Sequence, residues 1–453
     1  MSINPTIPIL VYLSIFKVYK QYSYLYRIYI ERDLFETKEP NMNPFLEKAF
    51  PAQNFFTNWE NIYPCPYDKR TVDPYTRTRV ILMNGTEFES VFFSHQFSRN
   101  CNNNDLRRDI SILRRLDQQQ QKTICALKPA DETILEHTIG YEQLAVDLTA
   151  ELAQREPDPN VRMALDFALL EDFDHLYRYS DLAYLEYGEK MECITGPYTE
   201  ITPGRPTIAH HRFPTDNVKA YVDFKTAAPI TKLNTQIITA AEQQTMNYYM
   251  NVTNLYCSDL GRQLYQEIAS VEEEHVTQYG CLLDPNQTWL ENLLNHKYNE
   301  CYLYYSCYTY EVDPYIKKLW EYFFCQEVSM LHRAAELLKK YEGKTWEQVI
   351  PNGEFPELLV LHSNIDYVRD VLKNTVQLTS KKEGYVDVST LPPDDPFFFM
   401  QCALNEPVCQ VPSHMTIDKL IDKNGIDYRY EVAPNPVPAL QDRHMDNVCV
   451  GRS

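Results

Sequence analysis

From residue 130 to residue 341 the chain runs in apolar stripes separated by short breakers, and each stripe has the period of an α-helix. Ile134, His137, Tyr141, Leu144 and Leu148 predict a helix over 130–152, and Leu165, Leu169, Asp172, Leu176 and Tyr179 a second over 160–187. The break between them, Arg155-Glu156-Pro157-Asp158-Pro159-Asn160, is turn-like. A second pair is expected over 235–255 and 258–281, around Cys257-Ser258-Asp259-Leu260-Gly261, which offers an N-cap candidate and a breaker. A third covers 289–311 and 314–341, where Asp313-Pro314 supplies an N-cap and a first-turn proline. Between the first two pairs, residues 188–234 turn to Gly, Pro and Thr, as in Ile201-Thr202-Pro203-Gly204-Arg205-Pro206, and predict a long crossover.

The flanks are less periodic. Residues 42–129 read as an irregular segment with one strand-like run, Arg79-Val80-Ile81-Leu82-Met83, an Asn84-Gly85 turn, and a polar helix near Asp105 to Gln121. Residues 282–345 hold the third hairpin, and residues 346–453, with runs such as Phe397-Phe398-Phe399-Met400, are expected to wrap irregularly over the helices. Ile7 to Phe16 is apolar but about half the ~20 residues a membrane span needs. Residues 1–41 are therefore taken as a dispensable extension and not an anchor, with Met42 as an alternative start.

Composition narrows the class. Only 12 glycines in 453 residues leave few positions for turn-rich β architecture, so a mainly α fold is expected. The 12 cysteines are scattered singly and read as reduced core thiols of a cytoplasmic protein. A formal charge of −20 disfavours nucleic acid and anionic membranes as partners. No Gly-rich nucleotide loop or nucleophile elbow is present.

The candidate chemistry lies in a pattern that occurs twice. Glu142 precedes Asp172-Phe173-Asp174-His175 and Glu242 precedes Glu272-Glu273-Glu274-His275, in each case with thirty residues from the lone Glu to the first carboxylate. Residues three apart on a helix share a face, so Asp172 with His175 and Glu272 with His275 can address one ion. Within a hairpin turning at residue 157 or 257, the residues thirty apart face each other at one level. Two such hairpins would assemble four carboxylates and two imidazoles, the donor set of a carboxylate-bridged dimetal site in a four-helix bundle. The crossover then has to span the bundle, about 35–40 Å.

Gly140-Tyr141-Glu142-Gln143-Leu144-Ala145, and the second hairpin from Ala241-Glu242-Gln243-Gln244 through Asp259-Leu260-Gly261-Arg262-Gln263-Leu264 to Val271-Glu272-Glu273-Glu274-His275, resemble the ligand helices of the bacterioferritin and rubrerythrin group. The resemblance covers about 130–188 and 235–281 and implies a ferritin-like bundle over 130–281. It also implies two iron or manganese ions held by Glu142, Asp172, His175, Glu242, Glu272 and His275, and reaction with dioxygen or peroxide. Two positions depart from the family: Asp172 stands where Glu is usual, with Glu171 as a rotated substitute, and Thr245-Met246 stand where rubrerythrins carry a further carboxylate. A rubrerythrin-type peroxidase is disfavoured accordingly.

Hard-to-borderline donors of this kind suit redox metals. The leading expectation is a non-haem dimetal oxidase or oxygenase, with Glu142, Asp172 and His175 on one side and Glu242, Glu272 and His275 on the other. A small-molecule substrate, an electron donor and an oligomeric assembly are compatible with it. Manganese catalase-like peroxide disproportionation is the enzymatic rival, hydrolysis and metal storage stand further off, and a metal-free structural bundle is the alternative of another class. Glu273 and Glu274 read as solvated charges, His210 and His211 as an exposed loop pair or an entrance, and Tyr298, Tyr302 and Tyr305 as a packing stripe. The third hairpin would set Asn299 opposite Ser329, which suggests no further metal site.

Overall fold

The computed structural model describes residues 42–205 and 209–428, so the N-terminal extension and the end of the chain lie outside the described residues. The protein is mainly helical. In chain order the elements are α1 (Pro74–Asn100), α2 (Asn104–Cys125), α3 (Ile134–Arg155), α4 (Pro159–Tyr187), α5 (Pro229–Leu255), α6 (Asp259–Gly280), α7 (Trp289–Tyr310), α8 (Pro314–Glu342), α9 (Ile365–Thr375), β1 (Leu378–Lys381), β2 (Gly384–Asp387), α10 (Pro396–Asn405) and α11 (Pro412–Asn424). The described residues form two compact units: one holds residues 42–66, Ser90–Leu127 and Thr288–Leu358, the other Tyr67–Glu89, Lys128–Gln287 and residues 359–428.

The second unit contains the hairpins α3–α4 and α5–α6. Helix α3 starts at a capping box in which Thr133 and Glu136 satisfy each other's backbone N–H groups. Asp158 caps α4 ahead of Pro159, and Gly188, at φ 71°, closes it in the left-handed conformation that other residues resist. Pro229 opens α5, and Ser258 accepts from Gly261 N at the start of α6. Helix α3 packs on α5 and α4 on α6, around a core that includes Leu169, Leu170, Phe173, Leu176, Leu264 and Ile268. Helix α9 covers α3 and α4, and α11 covers α4 and α6. The crossover lies directly on α4 at Gly204, where any Cβ would come 2.9 Å from Asp174 N and 3.1 Å from Leu170 O.

In the first unit α7 and α8 form a hairpin against α2 and the short turn Ala52–Phe55. Asp313 caps α8 through the N–H groups of Tyr315 and Ile316, with Pro314 at the first turn. Tyr298 and Tyr302 donate from their hydroxyls to the carbonyls of Glu354 and Glu357, as a packing stripe with its polar ends at the rim would.

Several expectations are corrected. The strand-like run Arg79–Met83 and the Asn84-Gly85 turn lie inside α1, because Gly85 serves packing: Gln244 occupies the space a Cβ would need. Residues 74–125 thus form two helices, while 42–73 is irregular apart from the short turn Ala52–Phe55, and 346–428 carries three helices and an antiparallel hairpin, β1 with β2. The third hairpin does not pair Asn299 with Ser329. It turns at residue 312, so Lys297 faces Glu327, two residues earlier. Of the described cysteines only Cys301 and Cys307 are buried, the others being exposed or half-buried, and all eleven are free thiols. Among the described residues no helix is long and apolar enough to cross a membrane.

Candidate metal centre

All six sequence-derived candidates converge in the second unit. Glu142 comes from α3, Asp172 and His175 from α4, Glu242 from α5, Glu272 and His275 from α6. Their exposures are 0–1%. Asp172, Glu242, Glu272 and His275 form one group whose ligand atoms lie within 4.8 Å of one another, and Glu142, His175 and Glu272 form another. Glu272 belongs to both. His175 Nδ1 lies 3.0 Å from its Oε1 and His275 Nδ1 3.2 Å from its Oε2, so each imidazole addresses a different oxygen of the same carboxylate.

This grouping differs from the expected one. Asp172 sits with the α5–α6 residues, not with Glu142 and His175: its Oδ1 lies 3.3 Å from His275 Nδ1. The short Asp side chain, on the α4 face packed against α6, meets His275 across the interface. The lone residues Glu142 and Glu242 each join one group, which leaves the shared position to a residue of a D/E-x-x-H motif.

Glu142 Oε2, both oxygens of Asp172, both of Glu242 and His175 Nε2 are buried without a hydrogen-bond partner. Unsatisfied buried polar atoms are costly, and six of them, spread over the two groups, form a donor set that fits cations. Protonation behaviour agrees. Burial pushes Glu142 well above the usual carboxylate range, with the charges of Glu272 and Asp172 adding to it. Burial and then Glu242 do the same to Asp172. Burial lifts Glu242 to about 7 against the pull of His275. Glu272 moves the other way, since hydrogen bonds from His175 and His275 together outweigh burial. For His275 burial disfavours the charge, but Asp172 and the carboxylates bonded to the ring prevail and raise it. Without ions the cage stores protons, which cations would displace.

Sequence reasoning missed the groups that hold these side chains. Glu171, weighed as a substitute ligand, instead accepts from His275 Nε2 at 2.6 Å and turns Nδ1 toward the cage. Arg205 and Arg212 bind Glu171 at 2.7 and 2.6 Å, with their guanidinium groups over the Phe167 ring. Glu274 is not solvated: it is buried and accepts from Arg212 N and Asn217 Nδ2, whereas Glu273 is exposed. His210 and His211 are buried too, contrary to an exposed pair. His210 Nε2 contacts the carbonyl of Arg205, and its ring lies 5.3 Å from that of His175. Tyr249, seven residues after Glu242 and hence on the same face of α5, donates to Glu142 Oε1 at 2.5 Å. The sequence signal for this shell was two arginines flanking two histidines within the crossover of an otherwise acidic chain.

Comparison with protein-family models, curated proteins and solved structures finds no match.

Proposed function

We propose that the second unit is a ferritin-like four-helix bundle that holds two iron or manganese ions, and that the protein is a non-haem dimetal oxidase or oxygenase reacting with dioxygen or peroxide. One observation carries this reading: two groups of candidate ligands drawn from four helices share Glu272, and five of their buried carboxylate oxygens lack a hydrogen-bond partner. Four ionised carboxylates carry a charge that two divalent cations balance. The motif resemblance points the same way.

In this reading Glu142, Asp172, His175, Glu242, Glu272 and His275 would hold the two ions, Glu272 belonging to both groups. When bound, such a pair supplies redox reactivity toward dioxygen or peroxide. The chain's own residues do the rest. Glu171, held by Arg205 and Arg212, fixes the His275 ring, and Tyr249 fixes one oxygen of Glu142. The burial of all six candidates keeps bulk water from the site.

The test is metal content per chain by elemental analysis, comparing the wild type with a His175→Ala, His275→Ala double variant. Close to two iron or manganese ions, lost in the variant, supports the reading, and no metal after reconstitution leaves a metal-free bundle. In the loaded protein, peroxide disproportionation without added reductant would instead indicate catalase-like chemistry.

A further inference from the structure

Around the Phe167 ring in the second unit lie hydrogen-bond donors that the chain leaves unused. The guanidinium groups of Arg205 and Arg212 stand 4.2 and 5.1 Å from the ring centre, and the Tyr385 ring, on β2, lies 4.7 Å away. Arg205 directs Nη1 to Glu171 and the Phe167 carbonyl, and Nη2 to the Thr375 carbonyl. Arg212 directs Nη1 to Glu171 and Nε to Asn217 and Glu274. Arg205 Nε, Arg212 Nη2 and the Tyr385 hydroxyl are buried without a hydrogen-bond partner. Both arginines are 1% exposed, so bulk water does not serve these atoms. The arginine field reaches the hydroxyl: burial raises the Tyr385 phenol, and the Arg212 charge is the strongest of those that oppose it.

Charge is unbalanced in the same place. Lys219, 6% exposed, sets its ammonium 4.5 Å from the centre of the Tyr385 ring. It donates to the carbonyls of Asp216 and Lys382 at 3.0 and 2.8 Å and to the Ser380 hydroxyl, all of them neutral, and no carboxylate of the described residues pairs with it. Arg205, Arg212 and Lys219 are thus three buried cations beside two carboxylates, Glu171 and Glu274, and Glu171 is further shared with His275. Burial, and after it the Arg212 charge, bring Lys219 down to about 8, as expected of an ammonium with no counter-ion in contact. Packing accounts for the aromatic rings. It does not account for a surplus buried cation with unpaired donors beside it, which is costly unless an anion completes the group.

We propose that Arg205 Nε, Arg212 Nη2 and the Tyr385 hydroxyl, beside Lys219, form a binding site for the carboxylate of a small organic acid. Arg212 Nη2 carries two N–H groups, Arg205 Nε one and Tyr385 one O–H, and a carboxylate accepts about four hydrogen bonds. Planar guanidinium groups match a flat carboxylate better than a spherical halide. One bound monoanion also brings the charge of the group to zero. The cover over the site is thin, since β1 and β2 have four residues each and a hairpin of that size has little stability of its own. The hairpin is therefore the element that yields when an acid enters. The site shares no residue with the six metal-ligand candidates and does not rest on the dimetal reading.

The test is thermal unfolding of the full chain at constant ionic strength, after treatment with a chelator so that the probe meets no metal ion. Sodium acetate is the probe, acetamide its neutral counterpart and sodium chloride the halide control. Acetate should raise the melting temperature saturably, as a ligand of the folded state does, and acetamide and chloride should not. Tyr385→Phe keeps the ring and removes only the unpaired hydroxyl. Without acetate it should melt no lower than the wild type, and it should bind acetate about 10-fold more weakly. Lys219→Met should weaken acetate binding at least as much, and Tyr385→Phe decides alone where Lys219→Met does not fold. Equal stabilisation by chloride overturns the carboxylate assignment. Acetate binding at wild-type strength in Tyr385→Phe, or no stabilisation of the wild type by acetate, overturns the site.

Discussion

The two units each bury a knot of carboxylates between facing helices, and they neutralise it in opposite ways. In the first unit the Lys297 ammonium on α7 reaches Asp117 at 2.6 Å, Glu300 at 2.5 Å and Glu327 at 3.4 Å, and Ser90 at 3.2 Å. In the second, Glu142, Asp172, Glu242 and Glu272, drawn from α3 to α6, gather in two groups that share Glu272. The nearby cations Arg205 and Arg212 are taken up by Glu171 and Glu274. A buried carboxylate needs a positive partner, because isolated charge is expensive in an apolar interior. Where the polypeptide supplies the ammonium, the cluster can be purely structural. Where it withholds one, as around Glu272, protons or an ion must fill the role.

The comparison can be broken most sharply at Glu272. Because it serves both groups, Glu272→Ala should abolish binding of both ions, whereas Glu142→Ala should spare the Asp172–Glu242–His275 group, and elemental analysis of the two variants separates these outcomes. Next in size, Lys297→Met leaves three carboxylates without their ammonium and should cost about 3–5 kcal/mol in urea unfolding, with metal content unchanged. Equal loss of metal in that variant would show that the two knots are not independent. Glu171→Gln removes the charge that orients His275 and should weaken metal affinity by about 10–100-fold in a competition titration with a chelator.

The smallest effect expected is on pH dependence. Burial lifts Glu242 from 4.5 to about 7 and Asp117 from 3.8 to about 6. A raised carboxyl binds its proton more tightly in the folded chain, so its contribution to stability is complete below the unfolded value and is lost as pH rises through the folded one. The melting temperature of the metal-free protein should therefore fall between about pH 4 and pH 7. With ions in place of the Glu242 proton, the Glu242 part of that fall should vanish, and the parts from groups outside the cage, Asp117 and the raised Asp147 among them, should persist, which calorimetry of the two forms would read.

The helices were legible because their signals are local. Apolar periodicity, the Asp158-Pro159 and Asp313-Pro314 starts and the Ser258 cap act within one turn of the chain, so the two hairpins of the second unit lie within a few residues of expectation. The six candidate ligands were legible for a related reason, since helical geometry makes a spacing of three or thirty a statement about space. Gly85 misled because the same residue marks a turn locally and a close helix contact globally, and only the position of Gln244 separates the two.

What tertiary structure alone decided is how the charges pair. Nothing in the one-dimensional pattern says that Glu171 holds His275 and not an ion, that Glu274 turns inward to Arg212, or that Asp172 joins the far hairpin. Each depends on where the crossover lies against α4, which Gly204 permits and Arg205 and Arg212 anchor. The sequence by itself determined the helical elements and the inventory of donors, because both follow from residue type and spacing. Which carboxylates are compensated by side chains and which are left for a cation or a proton was settled only by folding, because a charge–charge interaction depends on distance and burial, and residues remote in sequence acquire both only in the packed chain.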